Sequence, residues 1–147
     1  MSEKIVIDAK NLVLGRVASF AAKKALLGTT VDIVNCEEMV VSGSKEAVFA
    51  KYSQRMQRGI PTKGPFFYRR PEMLVRRTVR GMLTYKRGRG KTAYASVKCH
   101  IGVPESLKND KSVTIEKADI TKAHSERIVN YVAVKDICRH FGWKGYK

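Results

Sequence analysis

The chain has 147 residues, with 29 Lys or Arg against 13 Asp or Glu, for a formal net charge of +16. The length fits a single domain of roughly 100–200 residues, and 44% apolar residues exclude a wholly disordered chain. The charge lies far beyond the magnitude of about 2–8 usual for a small domain, so an anionic partner is expected.

In chain order, residues 5–9 read as a short buried strand and residues 11–15 as a turn. Residues 16–27 follow as an Ala-rich helix. Its apolar positions are Val17, Phe20/Ala21 and Leu26/Leu27, and it stops at Gly28. Residues 31–34 and 39–41 are β-branched and apolar, and fit either one strand with a loop or two short strands. Ser44 is a candidate N-cap for a helix over 45–58. This strand–helix–strand–helix order predicts an α/β layer of parallel strands joined by right-handed crossovers.

Gly59, Pro61, Gly64 and Pro65 then interrupt regular structure ahead of Phe66, Phe67 and Tyr68. Two of these three rings are expected in the core. Pro71 suits the first turn of a helix running to about residue 84, with Val75, Val79 and Met82/Leu83 as its apolar stripe. Arg76 and Arg80 are neighbours one turn apart, and such like-charge pairs cost a few tenths of a kcal/mol. Residues 85–91 are basic and glycine-punctuated, and are expected to be flexible. Gly88 and Gly90 would allow close backbone approach to a ligand. Strands are predicted at 95–101 and 113–115, a helix at 119–128, a strand at 131–134 and a helix at 135–141. An aromatic-basic tail over 143–147 closes the chain.

The charge is not spread evenly. Residues 1–50 are balanced, residues 51–100 carry 14 basic residues and only Glu72 as an acid, and residues 101–147 have a net charge of +3. A solubilising surface would distribute its charge; this one concentrates +13 in the middle third. That pattern points to nucleic acid.

Other classes lack their signatures. No apolar run reaches the ~18 residues of a membrane span. Residues 1–4 lead straight into Ile5-Val6-Ile7, so no secretory signal is expected. Cys36, Cys99 and Cys138 are odd in number and far apart, and read as reduced intracellular thiols. With His100, His124 and His140 they form no paired metal-ligand spacing, so no metal is expected. Gly90-Lys91-Thr92 ends like a phosphate-binding loop, but Tyr85 stands where that loop needs its first glycine. No nucleophile elbow occurs, so neither catalysis, a cofactor nor a small-molecule substrate is expected.

Several stretches together carry a resemblance. Pro65-Phe66-Phe67-Tyr68-Arg69 and Arg77-Thr78-Val79-Arg80-Gly81-Met82-Leu83 are the most specific. Leu14-Gly15-Arg16-Val17-Ala18-Ser19, Val34-Asn35-Cys36-Glu37, Ser42-Gly43, Tyr131-Val132-Ala133-Val134 and Phe141-Gly142 accompany them in order. The set resembles the ribosomal protein L-thirteen family of the large subunit, in its archaeal and eukaryotic form. Thr84 departs from the proline frequent in the family after Met-Leu, and Arg76 replaces a family aromatic.

The resemblance implies a three-layer α/β/α domain around a small mostly parallel sheet, with a basic loop-helix extension at about 59–92. It implies direct binding to large-subunit rRNA, early in assembly, with neighbouring large-subunit ribosomal proteins as partners in the cytoplasm. By position, the RNA-facing residues would be Lys63, Arg69, Arg70, Arg76, Arg77, Arg80, Lys86, Arg87, Gly88, Arg89, Gly90 and Lys91. A free regulatory protein acting on messenger RNA is the alternative with the same surface chemistry.

Overall fold

Alternation along the first strand decides the two faces of the sheet. A computed structural model describes residues 3–123 and 130–145. The chain begins with β1 (Lys4–Asp8), crosses over through α1 (Leu14–Leu26), and returns as β2 (Thr30–Val34). β1 and β2 are parallel, with Ile5 opposite Val31 and Ile7 opposite Ile33. Successive side chains point to opposite faces. Ile7, Val31 and Ile33 therefore enter the main core, while Val6 and Val34 meet Leu107 on the other side.

Two short strands, rather than one, follow from the apolar run after residue 30. Asn35 adopts a left-handed conformation (φ +56°), which Asn tolerates better than most residues, and a 3-10 turn occupies Cys36–Glu38. β3 (Val40–Ser42) then leaves the parallel sheet. Ser44 caps α2 (Lys45–Met56), its Oγ accepting from the backbone N–H of Ala47 at 3.3 Å. α3 (Pro71–Gly81) and α4 (Gly88–Ala95) lead to β4 (Val97–Cys99), and β5 (Ser112–Val113) follows. α5 (Ile120–Ala123) begins after Asp119, whose carboxylate accepts from the N–H and hydroxyl of Thr121. Residues 124–128 of the helix predicted there lie outside the described residues, as does His124. β6 (Tyr131–Ala133) runs directly into α6 (Val134–His140).

The sheet order is β4-β2-β1-β5, and every pairing in it is parallel. This is the α/β architecture with a mostly parallel sheet. β3 and β6 form a separate antiparallel pair, Val40 opposite Ala133 and Val41 opposite Val132. The parallel pairing expected from the strand–helix–strand–helix order holds for β1 and β2, while the 39–41 run, whose partner the pattern left open, pairs antiparallel with β6. A three-residue apolar run carries no information about its partner. One face of the main sheet is covered by helices, the other by a 3-10 turn at Glu105–Leu107.

α1 starts two residues earlier than predicted and buries Leu14, Val17, Ala18, Ala21, Ala22 and Ala25. The small residues let α3 and α4 lie close against it. Of the Leu26/Leu27 pair read as the last apolar position, Leu26 packs against the core, whereas Leu27 falls beyond the helix end and is 69% exposed beside Gly28 (φ +93°). Ile33→Ala should thus cost about 2–5 kcal/mol in denaturant unfolding, whereas Leu27→Ala should change stability by no more than about 0.5 kcal/mol.

Candidate nucleic-acid interface

The basic segment is built on an apolar foundation. In α3, Pro71, Leu74, Val75 and Val79 are buried, and Leu83 joins them just beyond the helix. Met82, the alternative stripe position, is exposed. Pro71 occupies the first turn as expected, and Glu72 pairs with Arg70 there.

With the stripe turned inward, the arginines lie along the flank, and each rests on an aromatic ring. The guanidinium of Arg76 sits 4.7 Å from the ring centre of Tyr94, Arg77 4.6 Å from Phe67, and Arg80 5.0 Å from Tyr85. Such contacts contribute about 0.5–1 kcal/mol each when exposed, enough to offset the like-charge cost along the helix. Arg77 also donates from Nη1 to the carbonyl of Phe66 at 2.9 Å. Burial, followed by the nearby charges of Arg80 and Arg55, lowers its pKa from the ordinary guanidinium value. Positive charge is crowded here, and an approaching anion would relieve the crowding.

The loop before α3 closes on itself. Ile60 and Gly64 exchange backbone hydrogen bonds of 3.1 and 2.8 Å. Gly59 has φ +85°, and a Cβ there would collide with the Gly64 carbonyl, so only glycine fits. Phe67 packs against the core and meets Tyr52 edge-on, whereas Phe66 and Tyr68 are 63% and 55% exposed. One ring of the three is core, not two. The chain direction into α3 turns the flanking rings outward.

Residues 85–91, read as a glycine-punctuated basic stretch, are partly regular structure. From Gly88 onward they are helical, and Gly90 is buried against Thr84, whose carbonyl a Cβ would strike. Its lack of a side chain serves packing within the protein. Glycine read as loop punctuation here marks a close helix–backbone approach. Arg89 donates from Nη2 to the Leu26 carbonyl at 3.2 Å, placing a cation at the negative end of α1.

The twelve sequence-derived positions therefore occupy the loop before α3, α3 itself, the turn that follows it and the start of α4. Lys63, Arg69, Arg70, Lys86, Arg87, Gly88, Arg89 and Lys91 are exposed, Arg76, Arg77 and Arg80 are half-buried, and Gly90 is buried. Arg55 was not among them. It lies on α2, over the ring of Tyr52 at 5.5 Å, and close enough to influence Arg77. The basic count over 51–100 contained it, but only the tertiary fold brings α2 to this face.

The thiols occupy different surroundings. Among the described residues no group of three or more His, Cys, Asp or Glu is placed to hold a metal. Cys36 donates to the Ile33 carbonyl at 3.5 Å, and neighbouring Cys99 together with burial pushes its pKa well above the ordinary thiol value. Burial and the nearby Glu72 push Cys138 up to about 12. On the opposite face of the sheet, buried Asp32 holds His100 at 3.1 Å and Lys4 at 3.8 Å.

The family model described as Ribosomal protein L13 matches residues 2–106, which include the whole basic segment. The large ribosomal subunit protein uL13 of Methanococcoides burtonii is 43% identical over 139 residues, covering 95% of this chain and 98% of that one. The protein of the same name from Archaeoglobus fulgidus is 40% identical over 140 residues, with 95% and 88% covered. That from Methanosarcina barkeri is 40% identical over 140 residues, with 95% and 98% covered. The chain belongs to the ribosomal protein L13 family.

The buried thiols give a pH test. Cys36, Cys138 and Tyr52 all have raised folded-state pKa values. The neutral forms suit the fold, so their contribution is intact below the unfolded thiol value of about 8.5. It is lost as pH rises past the unfolded values, for Cys138 toward its folded value of about 12. The melting temperature should hold between about pH 7 and 8.5 and then fall steadily. At pH 8 a thiol reagent should label Cys99 in the native state, and Cys36 and Cys138 only on unfolding.

Proposed function

We propose that this chain is a structural constituent of the large ribosomal subunit that binds large-subunit rRNA directly and supports early subunit assembly. Its place is the cytoplasmic ribosome, beside other large-subunit proteins. The RNA-facing surface is the segment at about 59–92 of a single domain, joined by Arg55 from α2.

The observation that carries this reading is the concentration of cations on a folded loop-helix-helix unit, in a chain whose relatives are named large-subunit proteins. Phosphate neutralisation releases counterions and supplies most of the affinity of such surfaces. Arginine suits the task, because its fork can engage a phosphate while its face stays stacked on an aromatic ring. Structured RNA is read largely through its shape, its phosphates and its 2′-hydroxyls. A surface held in one arrangement before binding loses less entropy on docking. The chemistry required is binding alone. Glu72, the only carboxylate between residues 51 and 100, is engaged by Arg70.

The test combines sedimentation with salt titration. The native protein should travel with large subunits after a moderate salt wash; recovery mainly as free protein would contradict the reading. Lys63, Lys86 and Lys91 are exposed, so changing all three to Gln should leave the circular dichroism spectrum unaltered. Binding to large-subunit rRNA should weaken, and the slope of log affinity against log salt should flatten by roughly 2–3. The same change at Lys10, Lys23 and Lys108 should do much less.

A further inference from the structure

Phe66 and Tyr68 leave large rings in solvent, and these rings share one small cavity with Tyr94. Its volume is 180 Å³, and its walls are Phe66, Tyr68, Met73, Arg77, Arg80 and Tyr94. Sites for drug-sized ligands usually span about 300–1,000 Å³, so this one suits a single ring system. Aromatic faces, a thioether and two guanidinium groups form it, and no carboxylate among the described residues lines it. Both cations are already positioned. Arg77 is fixed by the Phe66 carbonyl at 2.9 Å and the Phe67 ring, and Arg80 lies over Tyr85. Every nucleobase offers a π face, and the backbone phosphate of its nucleotide supplies the anion for the two guanidinium groups.

We propose that this cavity receives one nucleobase turned out of the rRNA stack, its ring held among Phe66, Tyr68 and Tyr94 and its phosphate by Arg77 and Arg80. The inference rests on the rRNA-binding reading above and adds a defined subsite to it. RNA is favoured over a protein side chain because the charges that the described residues place in the wall are both positive. Single-stranded loops and bulges in RNA supply the unstacked bases such a site needs. Phe66 also lines a second cavity of 370 Å³ between the end of α2 and the 59–69 loop.

The experiment uses the full chain bound to deproteinised large-subunit rRNA. Irradiation at an ultraviolet wavelength absorbed by the bases, followed by mass spectrometry, should find a one-nucleotide adduct on Phe66, Tyr68 or Tyr94. The double variant Phe66→Ala/Tyr68→Ala removes exposed rings only, and circular dichroism should confirm its fold. Its rRNA affinity should fall by about five- to 150-fold, the range expected for losing one stacked base. Stacking is not ionic, so its salt slope should match that of the parent. Tyr68→Phe should retain affinity. Full affinity in the double variant, or adducts confined to other segments, would overturn the proposal while leaving rRNA binding intact. A flattened salt slope would overturn it too, because the rings would then act only by positioning arginines. Normal binding to bare rRNA with poor retention in assembled subunits would assign the cavity to a neighbouring protein instead. Failure of the parent chain to bind rRNA would remove both the functional reading and this subsite.

Discussion

The packing of the α3 apolar stripe against the alanine face of α1 is the interaction on which the rest of the molecule depends. Leu74, Val75, Val79 and Leu83 are buried together with Val17, Ala18, Ala21 and Ala22. Fully burying a Val or Leu contributes about 1.5–3 kcal/mol, whereas a like-charge neighbour on a helix costs a few tenths. The apolar term wins by an order of magnitude. That margin lets one face of a helix hold Arg76, Arg77 and Arg80 in register without an anion present. The aromatic rings beneath them then select one arrangement among the many open to long cationic side chains.

The same packing orders the segment after α3. α4 packs against α1, and within it Gly90 comes close to the Thr84 backbone. Arg89 then reaches the end of α1 and ties the two helices together. The basic face is therefore an extension of the core. The parallel sheet contributes at a distance, by holding α1 through Ile7, Val31 and Ile33. Arg55 joins from α2, whose Tyr52 is buried in the same cluster as Val75. Cationic groups from separate parts of the chain thus converge through buried apolar contacts.

Much of this was legible in the chain itself, because period and composition are local signals. The 3.6-residue spacing of Val75 and Val79 oriented the arginines correctly, and Ser44 and Pro71 marked helix starts through well-defined backbone chemistry. The parallel β1–β2 pair followed from the intervening helix. What escaped were pairings between distant residues. Nothing near Arg76 announces that Tyr94 will lie beneath it, and nothing in Val40-Val41 names Val132 as the partner across the strand pair. Glycine posed a different difficulty. The same residue serves a flexible loop and a tight helix contact, and only the position of the Thr84 carbonyl separates the two at Gly90. Phe66 and Phe67 are chemically identical neighbours, and the direction of the chain alone sends one to the core and the other to solvent.

The central claim is that the fold itself holds the basic helix in place before any RNA arrives. Native-state hydrogen exchange on the free chain tests it most directly. The backbone amides of residues 75–80 should exchange only through global unfolding, with the same free energy as the amides of β1 and β2. Exchange of those amides at rates near the unprotected limit, with β1 and β2 still protected, would show that α3 forms only on binding and would contradict the account.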